Sequence, residues 1–218
     1  MKEHPIIFST PMVKAILDDR KTQTRRVIKP QPDLGLDPFD SYSRINIGRY
    51  HPTMVDKDGQ EYPGDEIFGA YTDDGEWGWK CPYGQVGDRL WVRETFLYRT
   101  PNSIIYKADG SEKFITGEYI EKFANINDER LLCSPSIFMP RWASRITLEI
   151  TEIRAERLQD ISDGDAIAEG CTDKNPIGNL VLEPRYIFKQ LWDSINGKKY
   201  PWDSNCWVWV ISFKKEEG

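Results

Sequence analysis

Two β-forming segments in the C-terminal part of the chain place the strongest constraint on its fold. Residues 145–158 read RITLEITEIRAERL, in which isoleucine and leucine side chains alternate with charged ones. This alternation is typical of a strand that buries one face. The chain closes with CWVWVISFKK at 206–215, which is rich in β-branched and aromatic residues. We therefore expect these two segments to be strands of one small sheet.

Helix signals lie between and before these strands. A serine-threonine-proline sequence at 9–11 is typical of a helix start, and the apolar stripe behind it ends near residues 18 and 19. A capped helix is expected at 162–170, where it stops at a glycine, and a longer one at about 184–195. A short helix is also expected around 117–123.

The middle of the chain has a different composition. From about residue 30 to 86 it is rich in proline, glycine, aspartate and aromatic residues, with Asp-Gly turns at 58–59 and 74–75. These signals predict hairpins and long loops inserted into a core domain. Strand signals resume at 86–99 and 103–110, which are expected to form a hairpin. The resulting prediction is one α+β domain over 1–218, a small mixed β-barrel with flanking helices and a long insertion.

Composition excludes several classes of protein. The chain carries a net charge of −6, which disfavours the broad phosphate binding of strongly basic proteins, although a local basic cleft is compatible with it. Four scattered cysteines and two histidines give no metal-ligand spacing, so we expect no metal, no cofactor and no disulfide framework. No apolar run is long enough for a membrane span, and no leader pattern is seen. A cytoplasmic protein without a membrane partner is expected, of undetermined oligomeric state.

The candidate site begins with a basic stretch. Five of the ten residues at 20–29 are cationic and none is acidic. On an extended backbone Lys21 and Arg25 lie on one side, whereas Thr24 and Arg26 lie on the other, unless a turn or bulge near Thr22 brings them together. The pattern alone is typical of a solvated basic strand. The sequence contains none of the common motifs of hydrolases or nucleotide-binding proteins.

The stretch DDRKTQTRR resembles the ASCH domain family of the PUA-like superfamily, whose signature is GxKxxExR. Lys21 and Arg26 occupy its lysine and arginine places, while Asp19 stands in the glycine place and Thr24 in the glutamate place. Threonine there is similar to bacterial N4-acetylcytidine amidohydrolases of that superfamily. The whole chain also resembles uncharacterised ASCH-domain proteins of bacteriophages and prophages, in phrases such as CPYGQVGDRLWVRETF.

The resemblance implies a PUA-like fold and a catalytic set of Lys21, Thr24 and Glu169. Thr24 is then the nucleophile, activated if Lys21 loses its proton through burial or neighbouring cations such as Arg20, Arg25 and Arg26. Glu169 carries a proton to the leaving amine.

The candidate ligand contacts in the same cleft are Arg20, Arg25, Arg26, Arg93, Glu94, Arg141 and Trp142. Arg93 and Glu94 lie on opposite faces of a strand, so one of them must point inward. Arg141 and Trp142 join a cation to an aromatic plane, which suits either a stacked nucleobase or a plug of the barrel end.

Three functions therefore stay open. The first is an enzyme that hydrolyses the amide of an N4-acylated cytidine or another N-acylated base. The second is an RNA-binding or nucleotide-binding module without catalysis, and the third is a single-strand ribonuclease. Binding of a nucleic acid or nucleoside is the prediction common to all three, and it is preferred over catalysis because a fold does not transfer its chemistry.

Overall fold

The computed structural model describes residues 1–31, 45–72, 78–100, 103–114, 132–172 and 182–216. Its strands are β1 (Glu3–Ile7), β2 (Gln23–Val27), β3 (Ile45–Tyr50), β4 (Thr53–Val55), β5 (Glu61–Pro63), β6 (Ile67–Thr72), β7 (Gly78–Lys80), β8 (Arg89–Arg93), β9 (Phe96–Thr100), β10 (Ser103–Tyr106), β11 (Glu112–Phe114), β12 (Leu132–Ser134), β13 (Thr147–Arg157) and β14 (Trp207–Lys215). The α-helices are α1 (Thr10–Leu17), α2 (Asp163–Ala168) and α3 (Pro184–Asn196). Single 3₁₀ turns are at Ser136–Phe138, Arg141–Ala143, Leu158–Asp160 and Trp202–Ser204.

The largest sheet has five strands in the order β1-β8-β13-β14-β2. Strand β1 runs parallel to β8, and the other three pairings are antiparallel. The described strands do not close into a barrel. The two edge strands nevertheless approach each other, because Nη2 of Arg26 in β2 donates a 2.6 Å hydrogen bond to the carbonyl oxygen of Ile7 in β1.

The two predicted C-terminal strands are confirmed as β13 and β14, which pair along most of their length. Ile150 and Ile153 are three residues apart yet both are buried, and the β13–β14 register shifts between Ile150 and Glu152. Such a bulge inserts one residue, so it returns the next apolar side chain to the core face.

Strand β14 separates two hydrophobic clusters. Trp207, Trp209 and Ile211 belong to the larger cluster with α1, β1 and β8, whereas Val208 and Val210 pack with α2 and α3. Both faces of this strand are covered, which explains its unbroken apolar sequence.

Each of the three capped or proline-led helices is confirmed close to its predicted bounds. Ser9 takes the N-cap position of α1 with Pro11 in its first turn. In α2 the Ser162 hydroxyl accepts from the Asp165 amide while the Asp165 side chain accepts from the Ser162 amide, which is a complete capping box.

The segment predicted as an insertion forms two small sheets, β3-β6-β7 and the β4-β5 hairpin. The Asp-Gly turn at 58–59 joins β4 to β5, with Gly59 at φ +81°. Ala70, Trp79 and Cys81 of this segment are buried in the larger cluster, so it contributes to the core as well as covering it. The predicted hairpin of β9 and β10 is also confirmed.

The α+β class is therefore confirmed. The predicted turn at 74–75 and the predicted helix around 117–123 lie outside the described residues. Within the described part of the chain, no helix is long and apolar enough to cross a membrane.

Candidate functional site

Lys21 and Glu169 meet inside the protein, although 148 residues separate them. Nζ of Lys21 donates to Oε2 of Glu169 at 2.5 Å and to the Glu169 carbonyl oxygen at 3.0 Å. The two residues also form an isolated antiparallel bridge through their backbones. Their exposed fractions are only 2% and 4%. The structure therefore brings together two of the three residues that the resemblance implies as catalytic.

The end of α2 positions the carboxylate. Glu169 is the C-cap residue of this helix, and Gly170 follows it at φ +88°. A Cβ atom at Gly170 would lie 3.1 Å from Cβ of Ala15 and 3.5 Å from Cβ of Lys21. Glycine is favoured there because the left-handed backbone and the close approach of Ala15 both disfavour a side chain. Glu169 is thus a buried residue at the end of its helix rather than a surface one.

The predicted solvated basic strand is wrong. Gln23, Thr24 and Arg25 in β2 are all buried, because α2, α3 and β14 cover the strand. Strand β2 begins at Gln23, and Lys21 precedes it. Lys21 and Arg25 both contact the Glu169 carboxylate, as expected for residues on one side of an extended backbone.

Arg25 is a second cation beside the Glu169 carboxylate. Its Nη1 atom lies 3.6 Å from Oε1 of Glu169, and its Nη2 atom donates to Oε2 of Glu156 at 3.2 Å. Asp165 lies 3.4 Å from the same guanidinium. Oε1 of Glu169 accepts no hydrogen bond from any described residue. The carboxylate is therefore satisfied on one oxygen and open to a further donor on the other.

Burial dominates the electrostatics of the pair. It lowers the pKa of Lys21 below its ordinary value, although the charge of Glu169 and its hydrogen bond oppose the shift. Burial also lowers the pKa of Arg26. The Cys171 thiol lies close to the pair, and burial raises its pKa to about 11. This thiol is therefore neutral at ordinary pH.

A cavity of about 440 Å³ lies beside this pair, between α1, β2, α3 and the loop after β7. Its lining includes Thr24 and Glu169, so these two predicted catalytic residues share one open space. Lys21 does not line the cavity, but it donates a hydrogen bond to Glu169, which does. The remaining lining residues are cations and apolar or aromatic side chains: Met12, Arg25, Arg26, Val27, Lys29, Lys80, Pro82, Tyr83, Phe188, Leu191, Trp192, Ile195, Asn196 and Trp209.

Arg25 and Arg26, two of the predicted ligand contacts, line this cavity. The Arg26 guanidinium lies 5.1 Å from the centre of the Phe8 ring, and its Nε atom makes no hydrogen bond with any described residue. Arg20 lies elsewhere, because its guanidinium pairs with exposed Asp18 at 2.8 Å. Its predicted role at the ligand thus has no geometric support.

Arg93 and Glu94 are directed as the strand pattern predicts, with one of them inward. Glu94 is 2% exposed and accepts two hydrogen bonds from Arg145, at 2.8 and 3.1 Å. The Arg93 guanidinium lies 5.6 Å from the centre of the Trp91 ring. Neither side chain is among those that line the cavity.

Arg141 and Trp142 are likewise separate from the cavity. Arg141 makes a two-bond ion pair with Glu3, with both distances at 2.8 Å. Trp142 packs against a small cluster that includes Phe96 and Met139. Trp142 is therefore a partly buried packing residue at a distance from the cavity lining.

Sequence reasoning missed the aromatic walls of the cavity. Trp209, Tyr83 and Phe188 come from a strand, a loop and a helix that are distant in the chain. The apolar residues of α3 are typical of a buried core, so they did not indicate a cavity. A further signal for a site was the pair of arginines in β2, because β2 faces α2 and α2 begins with acidic residues.

Metal ligands do not gather in the described part of the chain, where no group of three or more His, Cys, Asp or Glu side chains is placed to hold an ion. The four cysteines are unpaired. A scan against protein-family models and searches of curated proteins and of solved structures each find no match to this chain.

Proposed function

We propose that the cavity binds a nucleobase and that Thr24, Lys21 and Glu169 hydrolyse the amide of an N-acylated base, with N4-acetylcytidine as the concrete substrate. One observation carries the proposal. The Glu169 carboxylate is held by Lys21 on one oxygen, lines the same cavity as Thr24, and has no hydrogen bond on its other oxygen. A buried acid with an unused acceptor atom, which lines the same cavity as a hydroxyl-bearing residue, is an arrangement suited to proton transfer.

We also propose kinship with the ASCH family and a PUA-like barrel in which Arg26 joins the edges β1 and β2. Asp19 adds a second argument. It stands where the family signature has glycine, and its backbone has φ +55°, the left-handed conformation that glycine adopts without cost. At the glycine place of the signature the chain therefore has a backbone conformation that favours glycine.

The cavity walls suit a nucleobase. Tyr83 is half-buried and offers a planar surface on which a base can stack, whereas Trp209 and Phe188 are almost fully buried and contribute apolar wall. A volume of about 440 Å³ lies in the range of small-molecule sites. Arg25 and Arg26 supply donors for the oxygen atoms of the base or of its acyl group.

The chemistry assigns one task to each group. The Thr24 oxygen forms a bond with the acyl carbon, and its proton passes to the open oxygen of Glu169. Collapse of the tetrahedral intermediate breaks the carbon–nitrogen bond, and the leaving amine takes that proton. Water, deprotonated by Glu169, then releases the acid from Thr24. Because Lys21 does not line the cavity, it acts by holding the Glu169 carboxylate, while Arg25 and Arg26 stabilise the negative charge on the acyl oxygen.

The direct test is incubation of the purified chain with N4-acetylcytidine, followed by quantification of cytidine and acetate. Wild-type protein is expected to release both in equal amounts, and Thr24→Val is expected to release neither, because it keeps the shape and removes the nucleophile. Thr22→Val is the matched control, since Thr22 is the exposed threonine two residues away. Absence of product from wild-type protein, or undiminished product from Thr24→Val, would reject the proposal.

A second candidate is a base-binding module without catalysis. It is favoured by the contacts of Glu169 with both Lys21 and Arg25, which a purely structural ion pair would also make. This candidate predicts binding of N4-acetylcytidine and of cytidine without product. The ribonuclease hypothesis stays a prediction, and shortening of single-stranded RNA in the same assay is its readout.

A further inference from the structure

A second cavity of about 360 Å³ adjoins the first one. Lys80, the last residue of β7, lines both cavities. The loop after it divides them, because Pro82 and Tyr83 line the first cavity while Cys81, Gly84 and Gln85 line the second. Both cavities lie in the size range of ligand sites, so a ligand that enters the first has room to continue past Lys80.

Cations are concentrated along this path, although the whole chain is acidic at net charge −6. Lys29 and Lys80 are exposed at the first cavity, and among the described residues neither forms an ion pair. Lys2 and Arg49 line the second cavity. A local surplus of cations on an acidic protein favours a ligand that carries negative charges along its length.

The acidic groups of the second cavity are already engaged. Asp88 accepts hydrogen bonds from the backbone amides of Lys2 and Gln85, and Glu66 pairs with Arg49 at 2.9 Å on the surface. Exposed pairs of this kind contribute little, so Arg49 exchanges Glu66 for a phosphate at small cost. Nε2 of His4 lines the same space, is buried, and makes no hydrogen bond with any described residue.

We propose that the physiological ligand is a single-stranded nucleic acid rather than a free nucleoside. Its modified base occupies the first cavity, an adjacent phosphate contacts Lys29 and Lys80, and the neighbouring nucleotide occupies the second cavity near Arg49 and His4. This inference rests on the proposed function for the identity of the base. Of these contacts, Arg49 in β3 and Lys80 in β7 lie in the segment predicted as an insertion, whereas His4 lies in β1 and Lys29 follows β2.

The test compares three probes with the same base: N4-acetylcytidine, its 5′-monophosphate, and a five-nucleotide RNA with N4-acetylcytidine at the centre. Binding is measured between 0.05 and 0.5 M salt with the Thr24→Val protein, which does not consume the probes. Each lysine or arginine that contacts a phosphate of a single strand contributes about 0.7 to the slope of log affinity against log salt. Lys80→Ala and Arg49→Ala are each expected to reduce this slope by about 0.7, which is about fivefold weaker RNA binding at 0.1 M salt. Lys57→Ala, which removes a lysine of the β4–β5 turn that lines neither cavity, is expected to leave the slope unchanged.

The outcomes separate this inference from the proposed function. RNA that binds more tightly than the monophosphate, with a slope reduced by Lys80→Ala and Arg49→Ala but not by Lys57→Ala, supports the strand. A monophosphate that binds as tightly as the RNA overturns it, as does an equal slope in all variants. Hydrolysis of the free nucleoside together with either of these results would leave the proposed function standing without the strand. Salt-sensitive RNA binding without any hydrolysis would support the single-stranded ligand and reject the proposed amide hydrolysis.

Discussion

Two buried glutamates of this protein, Glu94 and Glu169, face the same physical problem and solve it differently. Each is less than 5% exposed and each is held by a cation from a distant part of the chain. A buried carboxylate is tolerated only when hydrogen bonds and opposite charge replace its lost hydration. The two sites differ in how completely this replacement is made.

Glu94 is fully engaged. Arg145 donates to both of its carboxylate oxygens, and the same guanidinium also donates to Asp109 at 2.7 Å and lies 4.0 Å from the centre of the Tyr106 ring. Burial raises the pKa of Glu94, although Arg145 opposes the shift. No oxygen of this carboxylate is left for a ligand.

Glu169 is engaged on one side only. Oε2 accepts from Lys21, whereas Oε1 has no hydrogen bond among the described residues and lies 3.6 Å from Nη1 of Arg25. Glu169 also lines a cavity. Charge and burial are therefore alike at the two carboxylates, and unused hydrogen-bonding capacity beside a cavity distinguishes Glu169 from Glu94.

The largest expected effect concerns Glu94, the fully engaged carboxylate. Arg145→Ala leaves Glu94 buried without its partner and is expected to lower the free energy of unfolding by about 3–5 kcal/mol, measured by urea denaturation. The control is Arg141→Ala, which breaks an exposed pair with Glu3 and is expected to cost less than about 1 kcal/mol. Equal losses in the two variants would contradict the distinction between buried and exposed pairs.

The next effect concerns acid stability, in which the two sites are expected to agree. Burial alone would raise the pKa values of Asp109, beside Glu94, and Asp165, beside Glu169. Hydrogen bonds from Arg145 to Asp109 and from Ser162 to Asp165 outweigh it and lower both pKa values to about 2. The ordinary value is 3.8, so the unfolded chain takes up these protons first.

Each aspartate therefore stabilises the fold fully above about pH 4, and this contribution disappears as the pH falls towards 2. Asp109→Asn and Asp165→Asn are each expected to flatten the acid dependence by about 1 kcal/mol, since both groups are partly exposed to solvent. Urea unfolding at pH 5, 3.5 and 2.5 measures this effect, with the exposed Asp203→Asn as control. If the free energy of unfolding of one variant falls with pH as steeply as that of the wild type, the aspartate at that site does not contribute to acid stability.

A smaller effect isolates the helix that presents Glu169. Ser162→Ala removes the N-cap of α2 and is expected to cost about 1 kcal/mol of stability. Because Glu169 is the C-cap of the same short helix, kcat on N4-acetylcytidine is expected to fall as well. Ser194→Ala, a change to an exposed serine of α3 that bonds only the Leu191 carbonyl, is the control. Loss of stability with unchanged kcat would mean that α2 does not position the carboxylate.

The smallest effect concerns backbone strain beside the open site. Asp19→Gly is expected to stabilise the protein by about 0.5 kcal/mol, because glycine adopts φ +55° without the cost that other residues incur. Asp18→Gly is the matched control and is expected to destabilise, since Asp18 has φ −83°. Thermal unfolding of both variants measures the difference. Destabilisation by Asp19→Gly would instead mean that the ion pair of Asp19 with Lys215 outweighs the strain.

Local pattern predicted much of the fold. The alternation of β13, the cap of α2 and the proline start of α1 each depend on residues close together in sequence, so their signals survive without tertiary information. The order of strands in the main sheet does not, because β1 pairs with β8 and β2 pairs with β14 across most of the chain.

The candidate site was predictable only in part, for the same reason. Residue pattern alone indicated a solvated basic strand at Lys21 to Lys29, and the resemblance to ASCH proteins was needed to connect Lys21 with Glu169. Arg25 was predicted as a ligand contact and as a cation near Lys21, not as a partner of the acidic residues. Its proximity to Glu156, Asp165 and Glu169 follows from the packing of β2 against α2 and β13, which no local signal encodes.

The central claim is that Glu169 is reactive and Glu94 is structural, and kcat on N4-acetylcytidine for Glu169→Gln and Glu94→Gln tests it most directly. Both changes keep the side-chain shape and remove the charge. We expect kcat to fall by about 10²- to 10⁴-fold in Glu169→Gln, which is the usual effect of losing a general acid–base group. Folded Glu94→Gln is expected to keep the wild-type kcat. Full activity in Glu169→Gln, or equal losses in both proteins, would contradict it.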